Sequence, residues 1–249
     1  MSVGHALVLG GTKGLGRVVV ERFLARGFQT TVVSRNPPAS PLAAHVGHVA
    51  ADLETMDSAA AEALLAEAVA LGGPLSYLVF CQRYRGAGDV WAGEIQVGLT
   101  ATKAVIEAAK PHFLPDADAA VGIVSSVYAE FVGGSQPVGY HVVKAGLNQM
   151  MRYYAWELGR QGVRVNAIMP LSYIKPESRE YYAGKPEYTG LYERFVPMKR
   201  MGKAEDSADL VDFLCSEKAA FINGQAIFVD GGVSVVWQEE IAQSLTAGR

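Results

Sequence analysis

The stretch HALVLGGTKGLGRVVV, residues 5–20, runs from a short apolar segment through a glycine-rich turn into a helical pattern. Glycines let the backbone turn tightly and come close to a ligand. The following helix then offers free N–H groups and a positive dipole end to an anion. In this strand–turn–helix context the pattern is typical of a dinucleotide-binding turn, and an ordinary tight turn is the alternative. The candidate cofactor-binding residues here are Gly10, Thr12, Lys13, Gly14, Leu15 and Gly16.

The same alternation of apolar runs and helical patterns continues along the whole chain. The runs are nearly continuous, as in strands buried on both faces of a parallel sheet. The predicted strands are residues 5–10, 29–34, 48–50, 76–81, 120–125, 163–168 and 226–230. The predicted helices are residues 14–26, 57–71, 89–110, 138–161 and 205–216. This order predicts an α/β fold: a single Rossmann-like, doubly wound domain over residues 1–249, with a seven-stranded parallel sheet flanked by helices.

Composition narrows the class of protein. The chain has 249 residues, half of them hydrophobic and 19% charged, which favours a folded domain. A net charge of −3 gives no basic surface for nucleic acid. No apolar run reaches the roughly 18 residues of a membrane span, and the N-terminus lacks a signal-peptide pattern. Cys81 and Cys215 stand in apolar runs, so we expect free thiols and a cytoplasmic protein.

Two segments fall outside the alternation. Residues 171–204 hold five tyrosines and several cations, and no strand is expected there. A long loop of this kind predicts a substrate lid, with a solvated helix–loop–helix insert as the alternative. In the tail, residues 234–249, Trp237, Ile241 and Leu245 recur at helical spacing and predict a short amphipathic helix.

The end of the second strand bears on cofactor choice. An NAD site usually places Asp or Glu there for the ribose 2′-hydroxyl. This chain has Ser34 and Arg35 instead, with Lys13 in the glycine turn. Two cations suit a 2′-phosphate, so NADP(H) is preferred over NAD(H); solvated surface charges are the alternative. Asp52 and Leu53, after the third strand, are candidates for holding the adenine.

A second polar group follows the fifth strand. Ser125 and Ser126 end that strand, and Tyr140 and Lys144 are four residues apart on a predicted helix, hence on one face. A neighbouring cation favours phenolate, so we expect a lowered Tyr140 pKa and acid–base activity. His45 and His48 have no third ligand nearby, so no metal site is predicted.

Taken together, these residues resemble the short-chain dehydrogenase/reductase family over nearly the whole chain. The resemblance includes RVNAIMP (164–170), PMKRMGKAEDSADLVDFLCS (197–216) and FINGQAIFVDGG (221–232). It implies hydride transfer between a nicotinamide cofactor and a small carbonyl or alcohol substrate, in a dimer or tetramer. It also implies roles for the catalytic residues. Tyr140 donates the proton, Ser126 polarises the carbonyl oxygen (Ser125 if the register differs by one), and Lys144 lowers the tyrosine pKa and holds the nicotinamide ribose. Pro170 lies beside the nicotinamide.

The sequence departs from the family at four functional positions. Asn-Asn-Ala-Gly after the fourth strand is replaced by Phe80-Cys81-Gln82-Arg83, the active-site asparagine by Gly98, the glycine after Pro170 by Leu171, and the residue that opens the glycine turn by Leu9. We expect Gly98 to ease a local helix distortion and still offer its carbonyl.

The altered segment after the fourth strand points to the substrate. It lies at the carboxyl end of a parallel strand, so Gln82, Arg83, Tyr84 and Arg85 should rim the cleft, with Cys81 a cofactor contact. We expect a polar, anionic substrate such as an activated sugar, bound by Gln82, Arg83, Arg85 and Tyr173. A 3-oxoacyl-thioester reductase and a catalytically idle cofactor-binding scaffold or sensor are the alternatives.

Overall fold

A seven-stranded parallel sheet in the order β3-β2-β1-β4-β5-β6-β9 forms the centre of the molecule. The computed structural model describes residues 4–39, 42–114 and 118–246, so the ends of the predicted domain and tail, residues 1–3 and 247–249, lie outside the described residues. The sheet strands are β1 (His5–Leu9), β2 (Gln29–Ser34), β3 (Gly47–Ala50), β4 (Leu75–Phe80), β5 (Ala119–Val124), β6 (Val163–Pro170) and β9 (Ala226–Val229). The predicted α/β fold is confirmed.

Helices cover both faces of this sheet. They are α1 (Gly14–Ala25), α2 (Ser58–Gly72), α3 (Val90–Ile95), α4 (Ala101–Ala109), α5 (Val138–Gly159), α6 (Arg179–Ala183), α7 (Pro186–Phe195), α8 (Ala204–Leu214) and α9 (Gln238–Thr246). One apolar core lies between the sheet and α2, α4 and α5, and a second lies between the sheet and α1 and α8. Within the described residues, no helix is both long enough and apolar enough to cross a membrane.

Short polar side chains begin two of the helices. The Asp57 carboxylate accepts a hydrogen bond from the Ala60 N–H at 2.8 Å and caps α2. Asp206, in the first turn of α8, accepts from the Lys203 N–H at 2.8 Å. Each contact satisfies an N–H that the helix leaves without an internal acceptor. Both helices therefore start within a residue of the predicted position.

A buried ion pair ties the amino-terminal end of the sheet together. Arg164, at the start of β6 and 7% exposed, donates to the Asp118 carboxylate at 2.7 Å. It also donates to the Leu214 and Ser216 carbonyls at 2.5 and 3.2 Å. The Tyr77 hydroxyl donates to the other Asp118 oxygen at 2.6 Å. Because these partners come from β4, β5, β6 and the end of α8, this network holds the strands in register with the helix layer.

The expectation of no strand in residues 171–204 was wrong. Two residues at each end of this lid segment pair in parallel, β7 (Tyr173–Ile174) with β8 (Gly202–Lys203). Strands this short leave no periodic signal in a sequence, and only the fold brings the two ends together. Between them lie α6 and α7.

Most lid tyrosines pack on one another. Ring centroids are 5.2 Å apart for Tyr181 and Tyr182, 5.7 Å for Tyr182 and Tyr188, and 5.8 Å for Tyr188 and Tyr192. Aromatic pairs at such distances stabilise a small cluster of their own. The lid is therefore a compact helical insert, in which the aromatic rings chiefly serve local packing.

The tail forms the predicted helix, α9. Its carboxyl end meets α7, where the Arg194 guanidinium donates to the Ser244 carbonyl at 3.5 Å and to the Leu245 carbonyl. Ile241 and Leu245 are half-buried, whereas Trp237 is 71% exposed. Only part of the predicted apolar face is thus covered within the chain.

Candidate active site

One cleft of about 1540 Å³ opens at the carboxyl ends of the parallel strands. This edge of a doubly wound sheet is where such folds bind ligands. Every residue that the sequence nominated lines the cleft: Gly10, Thr12, Lys13, Gly14, Leu15, Gly16, Ser34, Arg35, Asp52, Leu53, Cys81, Gln82, Arg83, Arg85, Ser126, Tyr140, Lys144, Pro170 and Tyr173. The volume is large enough for a dinucleotide and a small substrate side by side.

The glycine turn closes tightly on itself. Gly10 has a φ of +75° and Gly14 a φ of +55°, backbone angles that residues with a side chain rarely adopt. A Cβ atom on Gly16 would stand 2.2 Å from the Gly10 carbonyl oxygen, so no other residue fits there. The turn therefore presents bare backbone to the cleft at the start of α1, as a pyrophosphate requires.

The end of β2 carries a mixed set of charges. Lys13 and Arg35 are both exposed and line the cleft. The Arg35 guanidinium forms an ion pair of 3.3 Å with Glu54, in the segment after β3. The Asp52 carboxylate accepts from the Glu54 N–H at 3.0 Å. The predicted 2′-phosphate cations are thus present beside the cleft, but one of them already has a carboxylate partner.

Ser126, and not Ser125, is the hydroxyl beside Tyr140. Ser126 follows β5, accepts from the Tyr128 N–H at 3.2 Å and lies beside the Tyr140 side chain. The Ser125 hydroxyl points away and donates to the Lys144 carbonyl at 3.1 Å, where it braces α5. Of the two candidate serines, Ser126 is therefore the one whose hydroxyl lies beside Tyr140.

Lys144 lies deep behind Tyr140. Its ammonium donates to the Val124 carbonyl at 2.8 Å and stands 5.5 Å from the centre of the Tyr140 ring. Burial lowers the pKa of Lys144 to about 8. A cation whose pKa lies near neutrality can exchange its proton during a reaction.

The expectation of a lowered Tyr140 pKa was wrong for this structure. Burial is the largest influence and raises the pKa of Tyr140, while the nearby Ser126 hydroxyl and the Arg83 charge act in the opposite direction. Lys144 reaches the face of the ring, where its charge does little for the hydroxyl. The site therefore holds Tyr140 as the neutral phenol, the form that donates a proton.

The segment after β4 does rim the cleft, as expected. Arg83 lies over the Tyr140 ring, with its guanidinium carbon 4.6 Å from the ring centre, and donates to the Gln136 amide oxygen. The Arg83 Nε is buried and has no hydrogen-bond partner among the described residues. Arg85 is exposed, whereas Tyr84 is 7% exposed and packs inward. Larger side chains thus fill the place of the family's small ones.

His48 has a structural partner in place of a metal. Its Nε2 is 3.1 Å from the Ser34 hydroxyl, at the edge of the sheet. Across residues 4–39, 42–114 and 118–246, no group of three or more His, Cys, Asp or Glu side chains is placed to hold a metal ion.

Comparison with known proteins identifies the family. A family model described as "Enoyl-(Acyl carrier protein) reductase" matches residues 10–234. The chain belongs to the short-chain dehydrogenase/reductase family. It is 25% identical over 243 residues to a glucose 1-dehydrogenase from Gluconobacter oxydans, covering 92% of this chain and 91% of that protein. It is 30% identical to a tropinone reductase homolog from Arabidopsis thaliana, covering 92% of each. A solved Pseudomonas aeruginosa RhlG/NADP active-site complex superposes with a TM-score of 0.81 at 26% identity, over 94% of this chain and 97% of that one.

The departure from the family at Gly98 has a clear local structure. Residues 96–100 form a π-helical turn between α3 and α4, which is the distortion that the glycine was expected to ease. The Gly98 carbonyl accepts from the Thr102 hydroxyl at 2.7 Å, and the Gln82 amide donates to that hydroxyl at 2.9 Å. A Cβ atom on residue 98 would stand 2.3 Å from Val143 Cγ1. The family's asparagine therefore does not fit into this backbone without movement of α5.

Two residues of the site were not among those nominated individually from the sequence, although Lys175 was counted among the cations of the lid. Lys175, in the lid segment, lines the cleft and approaches the glycine turn, since a Cβ atom on Gly14 would lie 3.4 Å from its Cδ. Glu94, on α3, is a buried carboxylate near Arg83 and Lys144. Glu94 precedes Gly98 by four residues, so helical spacing could have placed it on the same face.

Proposed function

We propose that the protein is an NADP(H)-dependent oxidoreductase that reduces a carbonyl, or oxidises the alcohol, of a polar, anionic substrate. An activated sugar is the leading class. The observation that carries this proposal is the meeting of Ser126, Tyr140 and Lys144 in the cleft that also contains the glycine turn. When bound, the nicotinamide would supply or accept the hydride.

Each catalytic side chain has one task in this proposal. The neutral Tyr140 phenol donates its proton to the substrate oxygen as negative charge develops there. The Ser126 hydroxyl, which lies beside Tyr140 in the cleft, donates a hydrogen bond to the same oxygen. Lys144 supplies the proton that restores the tyrosinate to the neutral phenol, a task for which a pKa of about 8 is suited. Oxidation uses the same groups in reverse.

The anionic substrate is supported by crowded cations at the outer part of the cleft. The pKa of Lys175 is lowered, first by burial and then by the charges of Arg85 and Arg83. Tyr173 is close enough to Arg85 for that charge to lower its otherwise raised pKa. Cations that repel one another in a half-buried place are stabilised by an anion between them. The name of the glucose 1-dehydrogenase relative supports a sugar as the carrier of that anion.

The preference for NADP(H) is supported by Arg35 and Lys13 and by the absence of a carboxylate at the end of β2, where Ser34 stands. The NADP complex among the similar structures supports the same choice. In this proposal the 2′-phosphate replaces Glu54 as the partner of Arg35. Because a phosphate offers more charge and more acceptors than a carboxylate, that exchange is favourable.

The exposed face of α5 suggests assembly. Val142, Tyr153 and Trp156 are 41, 55 and 58% exposed on this helix. Apolar groups clustered on a surface mark protein contacts, so we propose a homo-oligomer, a dimer or a tetramer. The free thiols Cys81 and Cys215 suit the reducing cytoplasm. Residues 1–249 form one domain in this proposal, with the lid as its substrate cover.

Two other functions compete with this one. The description of the matching family model favours a thioester reductase, in line with the 3-oxoacyl-thioester alternative. A catalytically idle, cofactor-binding scaffold is the remaining candidate, because the asparagine position carries Gly98.

Titration of NADPH and then NADH, followed by nicotinamide fluorescence, tests the cofactor. NADPH binding at least tenfold tighter than NADH binding, about 1.4 kcal/mol, supports the proposal. Equal affinity for the two cofactors contradicts the 2′-phosphate site. No binding of either cofactor would contradict the proposed oxidoreductase function.

A turnover screen then separates the candidate functions. Phosphorylated sugars and 3-oxoacyl thioesters are compared as substrates, with the Tyr140→Phe variant beside the wild type. The expected result is turnover of the sugars that Tyr140→Phe reduces at least a hundredfold. Tyr153→Phe, on the same helix but outside the cleft, is the matched control; it keeps the aromatic ring on the proposed assembly face and should keep full activity. Turnover of thioesters alone would favour the second candidate.

A further inference from the structure

Glu94 is a carboxylate that the proposed chemistry does not use. It lies on α3 and is 4% exposed. Carboxylates are rarely buried so completely unless they are paired. Its one ion pair within the described residues is long, with 4.0 Å between its Oε1 and the Arg83 Nε. Such a contact compensates poorly for the loss of water around the charge.

A small cavity joins Glu94 to the catalytic lysine. It measures about 10 Å³, roughly the room that one water molecule needs, and both Glu94 and Lys144 line it. Gly98 and Arg83 are also among the lining residues. Glu94 is the one carboxylate among the described residues that line this cavity. The buried ammonium therefore has a single negative neighbour there and a competing cation, Arg83.

Charges from several elements act on this pair. Arg83 and Arg85 approach from the segment after β4, and Cys81 stands at the start of that segment. Burial and Arg83 lower the pKa of Lys144, whereas Glu94 raises it. Burial raises the pKa of Glu94, and Arg83, Lys144 and Arg85 lower it. Glu94 and Lys144 thus favour each other's charged form.

We propose that Glu94 is a positioning residue for Lys144: its carboxylate keeps Lys144 in the charged, proton-bearing form inside a site that would otherwise neutralise it. This rests on the proposed function, because it assumes that Lys144 supplies the proton that restores Tyr140. Glu94 is not among the residues that line the main cleft, so in this proposal it acts only through Lys144.

The geometry around Gly98 explains why this helix contributes a carboxylate. The side chain at residue 98 is absent, and its carbonyl is engaged by the Thr102 hydroxyl. Glu94, one helical turn earlier, is the polar side chain of α3 that reaches the small cavity with Lys144. The link from this helix to the lysine therefore passes through Glu94 in this protein.

The test follows the titration of Lys144 by ¹³C NMR of lysine-labelled protein, with Lys144→Arg to assign the signal. We expect Glu94→Gln to lower the Lys144 midpoint by about one pH unit, because one neighbouring charge is removed. Glu94→Asp keeps the charge and should restore the midpoint most of the way. Glu157→Gln, an ion-paired carboxylate of α5 that faces Lys110, is the matched control and should leave it unchanged. An unchanged midpoint in Glu94→Gln overturns the proposal.

A reciprocal measurement covers the case in which Glu94→Gln does not fold. Coupling between two groups is mutual, so Lys144→Met must raise the midpoint of the ¹³C-labelled Glu94 carboxyl by a similar amount. A Glu94 midpoint that does not respond also overturns the proposal. Neither NMR experiment needs a substrate. Full turnover by Tyr140→Phe would contradict the proposed function alone. Unshifted titration midpoints of Lys144 and Glu94 would contradict only the role of Glu94.

Discussion

Replacing Gly98 with alanine should lower the free energy of unfolding, although the same change in an ordinary helix would raise it. In an open helical site this change stabilises a protein by up to about 1 kcal/mol, because alanine is the better helix former. Here the new Cβ atom would stand 2.3 Å from Val143 Cγ1, far inside contact distance. Val143 is 2% exposed and β-branched, so it cannot rotate away easily. We expect overpacking to outweigh the gain and to destabilise the fold by about 1–3 kcal/mol.

The assay is urea unfolding at constant pH, supported by thermal melting, in which each kcal/mol corresponds to roughly 2–4 °C for a chain of this size. Gly190→Ala is the matched control, because Gly190 lies in α7 with open space around it, and it should stabilise slightly. In a Val143→Ala background the clash disappears, so Gly98→Ala should become neutral or stabilising. A stable Gly98→Ala variant, or strict additivity with Val143→Ala, would refute the close contact between α5 and the π-helical turn.

Three further predictions follow from contacts described above. Arg164→Met should lower the free energy of unfolding by about 3–5 kcal/mol in urea, since it removes the cation that pairs with Asp118 and leaves one carboxylate oxygen and two carbonyls without the guanidinium donor; a loss below about 1 kcal/mol would contradict the network. The pKa of Lys144 is lower in the folded than in the unfolded chain, so unfolded protein binds more protons between about pH 8 and 10 and stability should rise with pH there. The slope should fall by up to about 1.4 kcal/mol per pH unit in Lys144→Met, measured by urea unfolding at several pH values, and equal slopes would disprove the buried ammonium. Arg35→Ala should weaken NADPH binding about tenfold and leave NADH binding unchanged, whereas Glu54→Gln should tighten NADPH binding; equal losses for both cofactors would argue against a 2′-phosphate contact.

The parts of the fold that repeat a simple pattern could be predicted from the sequence. Strands such as His5–Leu9 are nearly continuous apolar runs with clear ends, and the burial of both faces leaves that signal directly. The start of the helix that follows Asp57 could be predicted equally well, because the Asp57 cap depends only on neighbouring residues. The pairing of Tyr173–Ile174 with Gly202–Lys203 was not, since it joins two dipeptides nearly thirty positions apart and depends on the whole lid.

The membership of the site could also be predicted, but its electrostatics could not. Tyr140 and Lys144 are four residues apart on a helix, so their shared face follows from helix geometry. The direction in which the Tyr140 pKa is shifted depends on how deeply the ring is buried and on the charge of Arg83, which lies in the segment after β4. Glu94 escaped notice because a lone acid in an amphipathic helix is usually solvated, and only tertiary packing takes it out of water.

The two-residue pairing at the base of the lid has a consequence for how this protein can change. Paired strands lie about 4.8 Å apart. The chain therefore enters the lid helices after Ile174 and comes back at Gly202, close to the place where it left. The aromatic rings between these points pack mainly on each other. The ends of the lid are therefore held at one fixed place. The helices between them can be lengthened, shortened or exchanged with those of a relative while the seven-stranded sheet is unchanged. In the proposed function, the lid's share of the substrate contacts can therefore change as one contiguous piece of chain, separately from Arg83 and Arg85 after β4.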